Sequence, residues 1–209
     1  DIFGVETLDA ETEVIQIAYD ITKASGLKDS DFEIRINNRK LMNYVTRDVL
    51  GLDSKSAHAI SKLIDKKRKI DGNTFKEEIT KIAQDKAPIM LALLNSKNFE
   101  EFTKNLPQTK EEHEGVSEIR SVIDMLEKLG ITNAVFDQTL MRGFDYYTGI
   151  VFEIFDKNPE NRRSLCGGGR YDDLLSLFGG EKVPAVGFGL GDVTARDVME
   201  TYKSLPKIH

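Results

Sequence analysis

Residues 150–155, Ile-Val-Phe-Glu-Ile-Phe, form a nearly all-apolar run that constrains the fold more than any other segment. Such a run is typical of a strand at the centre of a sheet that is covered on both faces. Further strand candidates are residues 32–36, where apolar and polar residues alternate, and the short apolar segments 134–136 and 184–190. The chain is therefore predicted to build a sheet with residues 150–155 near its middle.

Two segments outside the strand candidates have the periodicity of amphipathic helices. Residues 9–25 end before Gly26 and residues 116–129 end before Gly130, and glycine is a common helix stop. Each segment has one predicted buried face at helical spacing. The members of these faces are Val14, Ile17, Ala18 and Ile21 in the first helix and Ile119, Val122, Leu126 and Leu129 in the second.

Residues 41–110 differ from both ends of the chain because they contain no convincing alternating segment. We expect several short helices there, interrupted at Gly51, Gly72 and Pro88. Strand-rich ends around a helical middle predict an α+β fold with an inserted all-α module. The predicted organisation is a first core part at residues 1–40, a helical insertion at 41–115 and a second core part at 116–209.

Composition narrows the functional class. The formal net charge of -6 argues against a protein whose whole surface binds nucleic acid, because phosphate contacts need Lys and Arg. The sequence has no apolar run long enough for a membrane span, and its first residues do not have the pattern of a signal peptide. A single cysteine, Cys166, excludes an internal disulfide and suits a reducing compartment. We therefore predict a cytoplasmic protein.

The segment Arg142-Gly-Phe-Asp-Tyr-Tyr-Thr-Gly149 carries the first group of reactive side chains, directly before the apolar strand. An arginine can bind a carboxylate or phosphate with two hydrogen bonds, and a tyrosine hydroxyl can bind a polar ring. The alternative is a lead-in to a hairpin, with packed tyrosines and an Arg142–Asp145 ion pair. From these residues alone both interpretations stay open.

Two glycine-rich segments follow. Cys166-Gly-Gly-Gly-Arg-Tyr-Asp172 is interpreted as a loop that opens a helix, where exposed backbone N–H groups attract anions. It does not match the nucleotide-binding P-loop, because no Gly-Lys-Ser/Thr follows. Gly187-Phe-Gly-Leu-Gly191 lies at a predicted strand-to-helix junction and leaves one face without side chains. Each segment taken singly is equally compatible with close backbone packing.

The order and spacing of these motifs resemble the histidyl-tRNA synthetase family. The resemblance rests on residues 142–149, on Phe152-Glu153, on residues 167–172 and on residues 184–188, and Asp1-Ile-Phe-Gly is similar to the end of the family's motif 2 strand. It implies a class II synthetase-like antiparallel sheet flanked by helices. It also implies histidine–tRNA ligase activity: L-histidine is activated with ATP to histidyl-adenylate and transferred to tRNA(His).

The resemblance also implies roles for single residues. Arg142 matches the arginine that contacts the histidine carboxylate and the α-phosphate, so it is the expected catalytic residue. The expected histidine-binding residues are Asp1, at the α-amino group, Tyr147, at the imidazole, and Tyr146, Gly168, Gly169 and Tyr171 around them. Gly189 and Gly191 are expected to bind ATP together with Arg142, and Mg²⁺ is expected to arrive with ATP rather than on a protein motif.

Two departures from the family pattern concern ATP. Thr194 stands where the family's motif 3 arginine is expected, and Arg196 is a poor substitute because two residues on a helix point roughly 200° apart. Motif 1, the motif 2 arginine and the anticodon-binding domain are not in the sequence. We therefore expect a partial catalytic core that is inactive by itself, and a homodimer for the full-length protein.

The basic run Lys66-Lys67-Arg68-Lys69 in the predicted insertion has two interpretations. It is either a solvated helix end or a contact to the tRNA acceptor stem, which the resemblance places near the family's insertion. The three histidines lie outside the motifs, and we predict no metal site because Cys166 has no other cysteine or nearby histidine in the sequence.

The main alternative function is that of a non-catalytic relative, the regulatory subunit of ATP phosphoribosyltransferase, which senses histidine. The missing motif 3 arginine favours it. Arg142 and the helical middle favour the synthetase, because a histidine sensor needs no arginine for an α-phosphate. A structural or interaction fragment without a ligand is the remaining possibility.

Overall fold

The computed structural model describes residues 1–141, 146–161 and 163–205, without the side chain of Arg68. The described strands are β1 (Ile2–Phe3), β2 (Phe32–Asn38), β3 (Ala134–Phe136), β4 (Ile150–Asp156), β5 (Ser164–Arg170) and β6 (Ala185–Leu190). The described helices are α1 (Asp9–Ala24), α2 (Arg39–Asn43), α3 (Ser54–Asp65), α4 (Gly72–Ala83), α5 (Ala87–Leu94), α6 (Phe99–Asn105), α7 (Glu114–Lys128) and α8 (Asp192–Thr201). A π-helical segment, Tyr44–Val49, continues α2, and 3-10 turns lie at Lys67–Lys69, Gln84–Lys86 and Leu175–Phe178.

Strand β4 lies inside the sheet, as the apolar run predicts. The strand order is β1-β6-β5-β4-β2-β3, and β4 pairs along its length with β2 and β5. Ile150, Val151, Phe152 and Ile154 are buried. The predicted α+β class, a sheet flanked by helices, is therefore confirmed.

The sheet differs from the expected all-antiparallel arrangement at one edge. The pairs of β1 with β6, β6 with β5, β5 with β4 and β4 with β2 are antiparallel, whereas β3 runs parallel to β2 with Ile34 opposite Ala134. The helical middle and α7 lie between β2 and β3 in the chain. Such a long crossover returns the chain in the original direction, which a short hairpin cannot do.

One face of the sheet is covered by α1, which packs on β4, β5 and β6, and by α7, which packs on β2, β3 and β4. In α1 the predicted buried face is half wrong: Val14 and Ala18 are buried, but Ile17 and Ile21 are 42% and 36% exposed. The helix is rotated so that Ile15 and Thr22 face the core instead.

A hydrogen bond explains why the buried face of α1 accepts a polar residue. The Thr22 hydroxyl donates to the carbonyl of Ala18, so burying it leaves no unpaired donor. In α7, Ile119, Val122 and Leu126 are buried as predicted, whereas Leu129 lies beyond the helix end and is half-exposed.

Between Leu41 and Gly115 the backbone is described throughout, and it contains helices and turns but no strand. Gly51 has a left-handed φ of +65° between the π-helical segment and α3, Gly72 begins α4, and Pro88 lies in the first turn of α5, so the predicted breaks are confirmed. The buried side chains of this region join the same hydrophobic cluster as β4. Its separation as a module remains a prediction. Among the described helices, none is both long and apolar enough to span a membrane.

Candidate active site

The glycine-rich segment 166–172 forms most of strand β5, so the prediction of a loop that opens a helix is wrong. Both edges of β5 are paired, with Gly169 opposite Val151 of β4 and Gly168 opposite Phe188 of β6. Its backbone N–H groups therefore serve the sheet instead of an anion. Only the 3-10 turn Leu175–Phe178 follows it before β6.

Close approach of the neighbouring strands explains the glycines of β5. A Cβ atom on Gly168 would lie 2.0 Å from the carbonyl oxygen of Gly187, and one on Gly169 would lie 2.4 Å from that of Ile150. Both distances are far below van der Waals contact. Gly168 and Gly169 are thus explained by close packing of the neighbouring strands.

Two rows of residues cross the sheet on the face that points away from the buried side chains of Ile36 and Phe152. We call them the first row and the second row. The first row consists of Arg35, Glu153, Gly167 and Gly189. The second row consists of Asn37, Val151, Gly169 and Gly187. Residues two apart in a strand are separated by roughly 7 Å, so the two rows are close neighbours.

Three tyrosines form a cluster at the second row, which we call the tyrosine cluster: Tyr146, Tyr147 and Tyr171. The ring centroids of Tyr146 and Tyr147 are 4.6 Å apart, and those of Tyr146 and Tyr171 are 5.9 Å apart. Tyr147 is buried against Leu140 and Val151. The result is an aromatic wall with polar hydroxyls, the type of surface that suits a small polar ring.

The side chain of Asp1 lies at the edge of this cluster. Its carboxylate accepts a hydrogen bond from the Tyr171 hydroxyl. It also lies over Gly187, because a Cβ atom on Gly187 would be only 1.5 Å from Asp1 Oδ1. Burial raises the pKa of the Tyr171 phenol, and the neighbouring Tyr146 and Tyr147 raise that pKa further. Tyr171 therefore keeps its proton as a donor to Asp1 at neutral pH.

The predicted histidine-binding residues are thus mostly brought together. Asp1, Tyr146, Tyr147 and Tyr171 meet around the second row, in which Gly169 lies. Gly168 differs, because it belongs to the row of Phe152 and Phe188, which faces the core. The alternation of a strand, which a loop does not have, accounts for this difference.

Arg170 is a site residue that the sequence interpretation missed. It is buried, and its guanidinium donates to Glu11 of α1 and to Asp172, with Nη1 3.1 Å from Asp172 Oδ1. It also donates to the carbonyls of Val5 and Thr7 at 3.0 and 3.3 Å. Burial lowers the pKa of Arg170, but the two carboxylates outweigh burial and the net shift is upward. The signal in the sequence was a charged residue directly after three strand glycines.

Arg170 and Asp172 together hold the segments that carry the tyrosine cluster. The carbonyl of Arg170 accepts from the N–H of Thr148, one residue after Tyr147. The hydroxyl of Thr148 in turn accepts from the N–H of Asp172 at 3.2 Å, and Asp172 Oδ1 accepts from the N–H of Ala185. The segment after β1, the segment before β4 and the start of β6 are thereby joined at one point.

A cavity of about 1070 Å³ lies over the first row, next to the tyrosine cluster. Gly167 and Gly189 form its floor, and nothing lies within 4 Å of a Cβ atom built on Gly189. The rest of its lining comes from β2 (Glu33 and Arg35), residues 137–141, the end of β4, the β4–β5 connection, the start of β5, the start of α8, and Ile64, Asp65 and Lys69 of the helical middle. Both predicted ATP-binding glycines, Gly189 and Gly191, line it. Arg142 lies outside the described residues.

Charged side chains of both signs line the cavity. Arg35 pairs with Glu33 and with Asp137, at 3.5 Å in the latter case, and its guanidinium lies 4.3 Å from the ring centroid of Phe155. Lys69, Lys157 and Arg163 also line the cavity. The wall can therefore contact a ligand that has both charge and a flat ring.

The basic run at residues 66–69 does not act as one surface. Lys66 and Lys69 are exposed, but Lys67 is turned inward, with Nζ 3.0 Å from the carbonyl oxygen of Leu94 and 5.6 Å from the ring centroid of Phe75. Burial lowers the pKa of Lys67, while Asp137 opposes that shift. The ammonium group of Lys67 therefore holds the end of α5, and a contact of this residue to tRNA stays a prediction. The side chain of Arg68 lies outside the described part.

The same carbonyl connects the helical middle to the site. Leu94 O also accepts from Nε2 of Gln138, at 3.2 Å, and this nitrogen donates to Ser96 O at 2.7 Å. Gln138 is buried in the segment 137–141 that lines the cavity. The wall of the cavity and the end of α5 are thus held together.

Comparison with known proteins identifies the family to which the chain belongs. The family model described as histidyl-tRNA synthetase matches residues 1–193. The histidine–tRNA ligase of Leptospira biflexa is 38% identical over 99% of this chain and 47% of its own length. The chloroplastic/mitochondrial histidine–tRNA ligase of Arabidopsis thaliana is 32% identical over 100% of the chain and 42% of its own length. The chain thus spans about half the length of these curated relatives.

Solved structures are similar over almost the whole chain. The histidyl-tRNA synthetase of Nostoc sp. PCC 7120 has a TM-score of 0.82 at 26% identity, covering 98% of this chain and 49% of that one. A Bacillus halodurans protein described as an ATP phosphoribosyltransferase regulatory subunit/histidyl-tRNA synthetase has a TM-score of 0.78 at 26% identity, covering 99% and 52%. The sheet and helices described above are therefore those of this group of structures.

Proposed function

The chain belongs to the histidyl-tRNA synthetase family, and from this premise we propose that the whole protein is a histidine–tRNA ligase. It activates L-histidine with ATP to histidyl-adenylate and transfers the histidyl group to tRNA(His). One observation carries the proposal: the tyrosine cluster with Asp1 and the cavity of about 1070 Å³ lie over neighbouring rows of the same sheet face. An amino acid and a nucleotide bound there would meet at the boundary of the two rows.

We assign the tyrosine cluster and Asp1 to histidine. The Asp1 carboxylate pairs with the substrate α-ammonium group, and Tyr171 holds that carboxylate through its hydroxyl. Tyr147 binds the imidazole with Tyr146 beside it, while Gly169 keeps the strand beneath free of a side chain. A neutral Tyr171, favoured by its raised pKa, preserves this arrangement at neutral pH.

We assign the cavity to ATP, with Gly189 and Gly191 at its floor and edge. One carboxylate oxygen of histidine attacks the α-phosphorus and pyrophosphate leaves, so no protein nucleophile is needed. Arg142, which follows the lining residue Met141 in sequence, is the residue proposed to neutralise the charge that develops at phosphorus. Mg²⁺ enters as part of the ATP substrate.

Transfer requires tRNA as the second substrate. A terminal ribose hydroxyl of tRNA attacks the carbonyl carbon of the adenylate, and AMP leaves. Lys66 and Lys69 remain candidates for a contact to the acceptor stem, since both are exposed and Lys69 also lines the cavity. We further propose that the full-length protein is cytoplasmic and forms a homodimer. Because the chain spans about half of its relatives, we expect it to bind histidine weakly and not to catalyse by itself.

The second candidate is a histidine-sensing regulatory subunit of ATP phosphoribosyltransferase. Thr194, at the position expected for an adenine-binding arginine, favours it, and the similarity to the Bacillus halodurans protein is compatible with it. This candidate needs the tyrosine cluster but makes no chemical use of the cavity.

Histidine-dependent exchange of pyrophosphate into ATP by the full-length protein separates the two. The ligase predicts exchange, and the Arg142→Ala variant should lose most of it while histidine binding weakens only partly. Histidine binding without any exchange would favour the regulatory subunit. Near-normal exchange by Arg142→Ala would remove the role proposed for this arginine.

A further inference from the structure

The hydroxyl of Thr194 is engaged in hydrogen bonds to two backbone carbonyls. It lies 3.0 Å from the carbonyl oxygen of Gly191 and 3.4 Å from that of Leu165, so it fastens the first turn of α8 to β5. The N–H of Gly191 donates to the same Leu165 carbonyl at 3.3 Å. Thr194 therefore supplies no charged group to the cavity that it lines.

These contacts bring the start of α8 next to the start of β5, and Arg163 directly precedes that strand. Arg163 is two residues before Leu165 in the chain, and both Arg163 and Thr194 line the cavity. A long side chain from position 163 therefore enters the same region as a long side chain from position 194 would. Arg196, in contrast, is not among the described lining residues and pairs with Glu200 at 2.8 Å.

Arg163 also differs from other arginines of the site in its bonding. Arg35 and Arg170 are each held by two carboxylates. Within the described part of the chain, the exposed guanidinium of Arg163 has neither an ion pair nor a hydrogen bond. It is thus available to a ligand.

The floor near Arg163 suits a flat, uncharged ring. Gly167 and Gly189 lie side by side in the first row without side chains, and the space above Gly189 is open. A planar group on this floor exposes its second face, on which a guanidinium stacks well.

We propose that Arg163 stacks on the adenine ring of ATP and so performs, from the residue directly before β5, the task that the chain cannot perform from position 194. This inference rests on the proposed ligase function. It answers how adenine is held in a chain with Thr194, and it makes Arg163 a nucleotide-binding residue that the motifs did not indicate.

The test compares three variants of the full-length protein: Arg163→Ala, Arg163→Lys and the matched surface control Arg196→Ala. In pyrophosphate exchange, Arg163→Ala should raise the KM for ATP about tenfold and leave the KM for histidine unchanged. Arg163→Lys should resemble Arg163→Ala, because an ammonium group has no flat face. Arg196→Ala should behave like the wild type. If position 163 substitutes for position 194, Thr194→Arg in the Arg163→Ala background should restore much of the ATP affinity.

A KM for ATP in Arg163→Ala that stays within twofold of the Arg196→Ala control would overturn the proposal, and so would an Arg163→Lys variant that binds ATP normally. Direct binding of a fluorescent ATP analogue keeps this test separate from the ligase proposal. If the wild type shows no histidine-dependent exchange, the ligase proposal fails. The analogue then decides about Arg163 alone, supporting stacking if only the position 163 variants bind it more weakly and refuting it if all bind equally.

Discussion

The guanidinium of Arg170 donates to both carboxylate oxygens of Glu11, with Nη2 2.6 Å from Oε2, and the two side chains are only 6% and 1% exposed. This pair fixes β5, at the centre of the sheet, to the first turns of α1. Since Arg170 also binds the carbonyls of Val5 and Thr7, it sets the course of the chain that leads from Asp1 to α1. A buried ion pair thus positions the carboxylate proposed to bind the substrate amino group.

Breaking this pair on one side should be costly. Glu11→Gln leaves a buried guanidinium without its full charge partner, and we expect the free energy of unfolding to fall by roughly 3–5 kcal/mol. Urea denaturation of the variant and the wild type measures the difference. The matched control is Glu200→Gln, which removes the exposed pair with Arg196 and should leave the denaturation midpoint almost unchanged.

The double variant Glu11→Leu/Arg170→Met sharpens this prediction. It removes both buried charges, so it should be less destabilised than the sum of the two single variants. Additive losses would mean that the two residues act independently, contrary to the direct contact described here.

The second prediction concerns the glycines of the sheet. Gly168→Ala places a methyl group 2.0 Å from a backbone oxygen that cannot move freely, and it should destabilise the fold by roughly 1–3 kcal/mol or more. Gly189→Ala meets nothing within 4 Å and should change the stability by less than about 0.5 kcal/mol. Thermal unfolding of both variants tests the pair. Equal stability of the two would contradict the strand packing.

The third prediction is a dependence of stability on alkaline pH. Because the pKa of Tyr171 is raised in the folded protein, its protonated form contributes stability that is fully present below about pH 10. That contribution is lost as the pH rises through the higher folded-state value. The difference in unfolding free energy between wild type and Tyr171→Phe should thus be constant up to about pH 10 and shrink above it. The difference spectrum of tyrosinate absorbance between the two proteins should likewise appear only above the ordinary range, and an earlier appearance would contradict the shift.

The fourth prediction concerns tRNA. Lys66→Glu/Lys69→Glu in the full-length protein should lower tRNA affinity and flatten its salt dependence, because each lost phosphate contact reduces the slope by about 1. The control is Lys76→Glu, an exposed lysine of α4 outside the basic run. Binding measured by filter retention at several salt concentrations compares them. Unchanged affinity of the double variant would favour the simpler interpretation, a solvated helix end.

Local sequence patterns predicted well those helices and strands that have a clear apolar period. Strand β4 and helix α7 follow from apolar runs with one clear period, and their positions agree with the structure within a few residues. The predicted face of α1 was less accurate, because the apolar Ile17 is exposed and the polar Thr22 is buried, the reverse of what helical periodicity predicts. The Thr22 hydroxyl can be buried because it donates a hydrogen bond to the carbonyl of Ala18, and apolar periodicity does not reveal such a bond.

The residues of the candidate site were likewise predicted only in part. Motif order predicted that Asp1, Tyr147 and Tyr171 are neighbours, although they are far apart in the chain. The reason is that the resemblance implies a family whose fold brings these motifs together. Motif order did not indicate Arg170 or Arg163. Their importance depends on which partners surround them: the carboxylates of Glu11 and Asp172 for Arg170, and none among the described residues for Arg163.

The sequence by itself determined the α+β class, the central strand and the family of this protein, since these depend on apolar periods and on motifs that are local in the chain. Only the tertiary structure decided that Cys166–Arg170 is a strand between two others and that Lys67 points inward. Only the tertiary structure brought position 163 next to position 194. These facts depend on pairing and burial between segments distant in the chain, which no local pattern records.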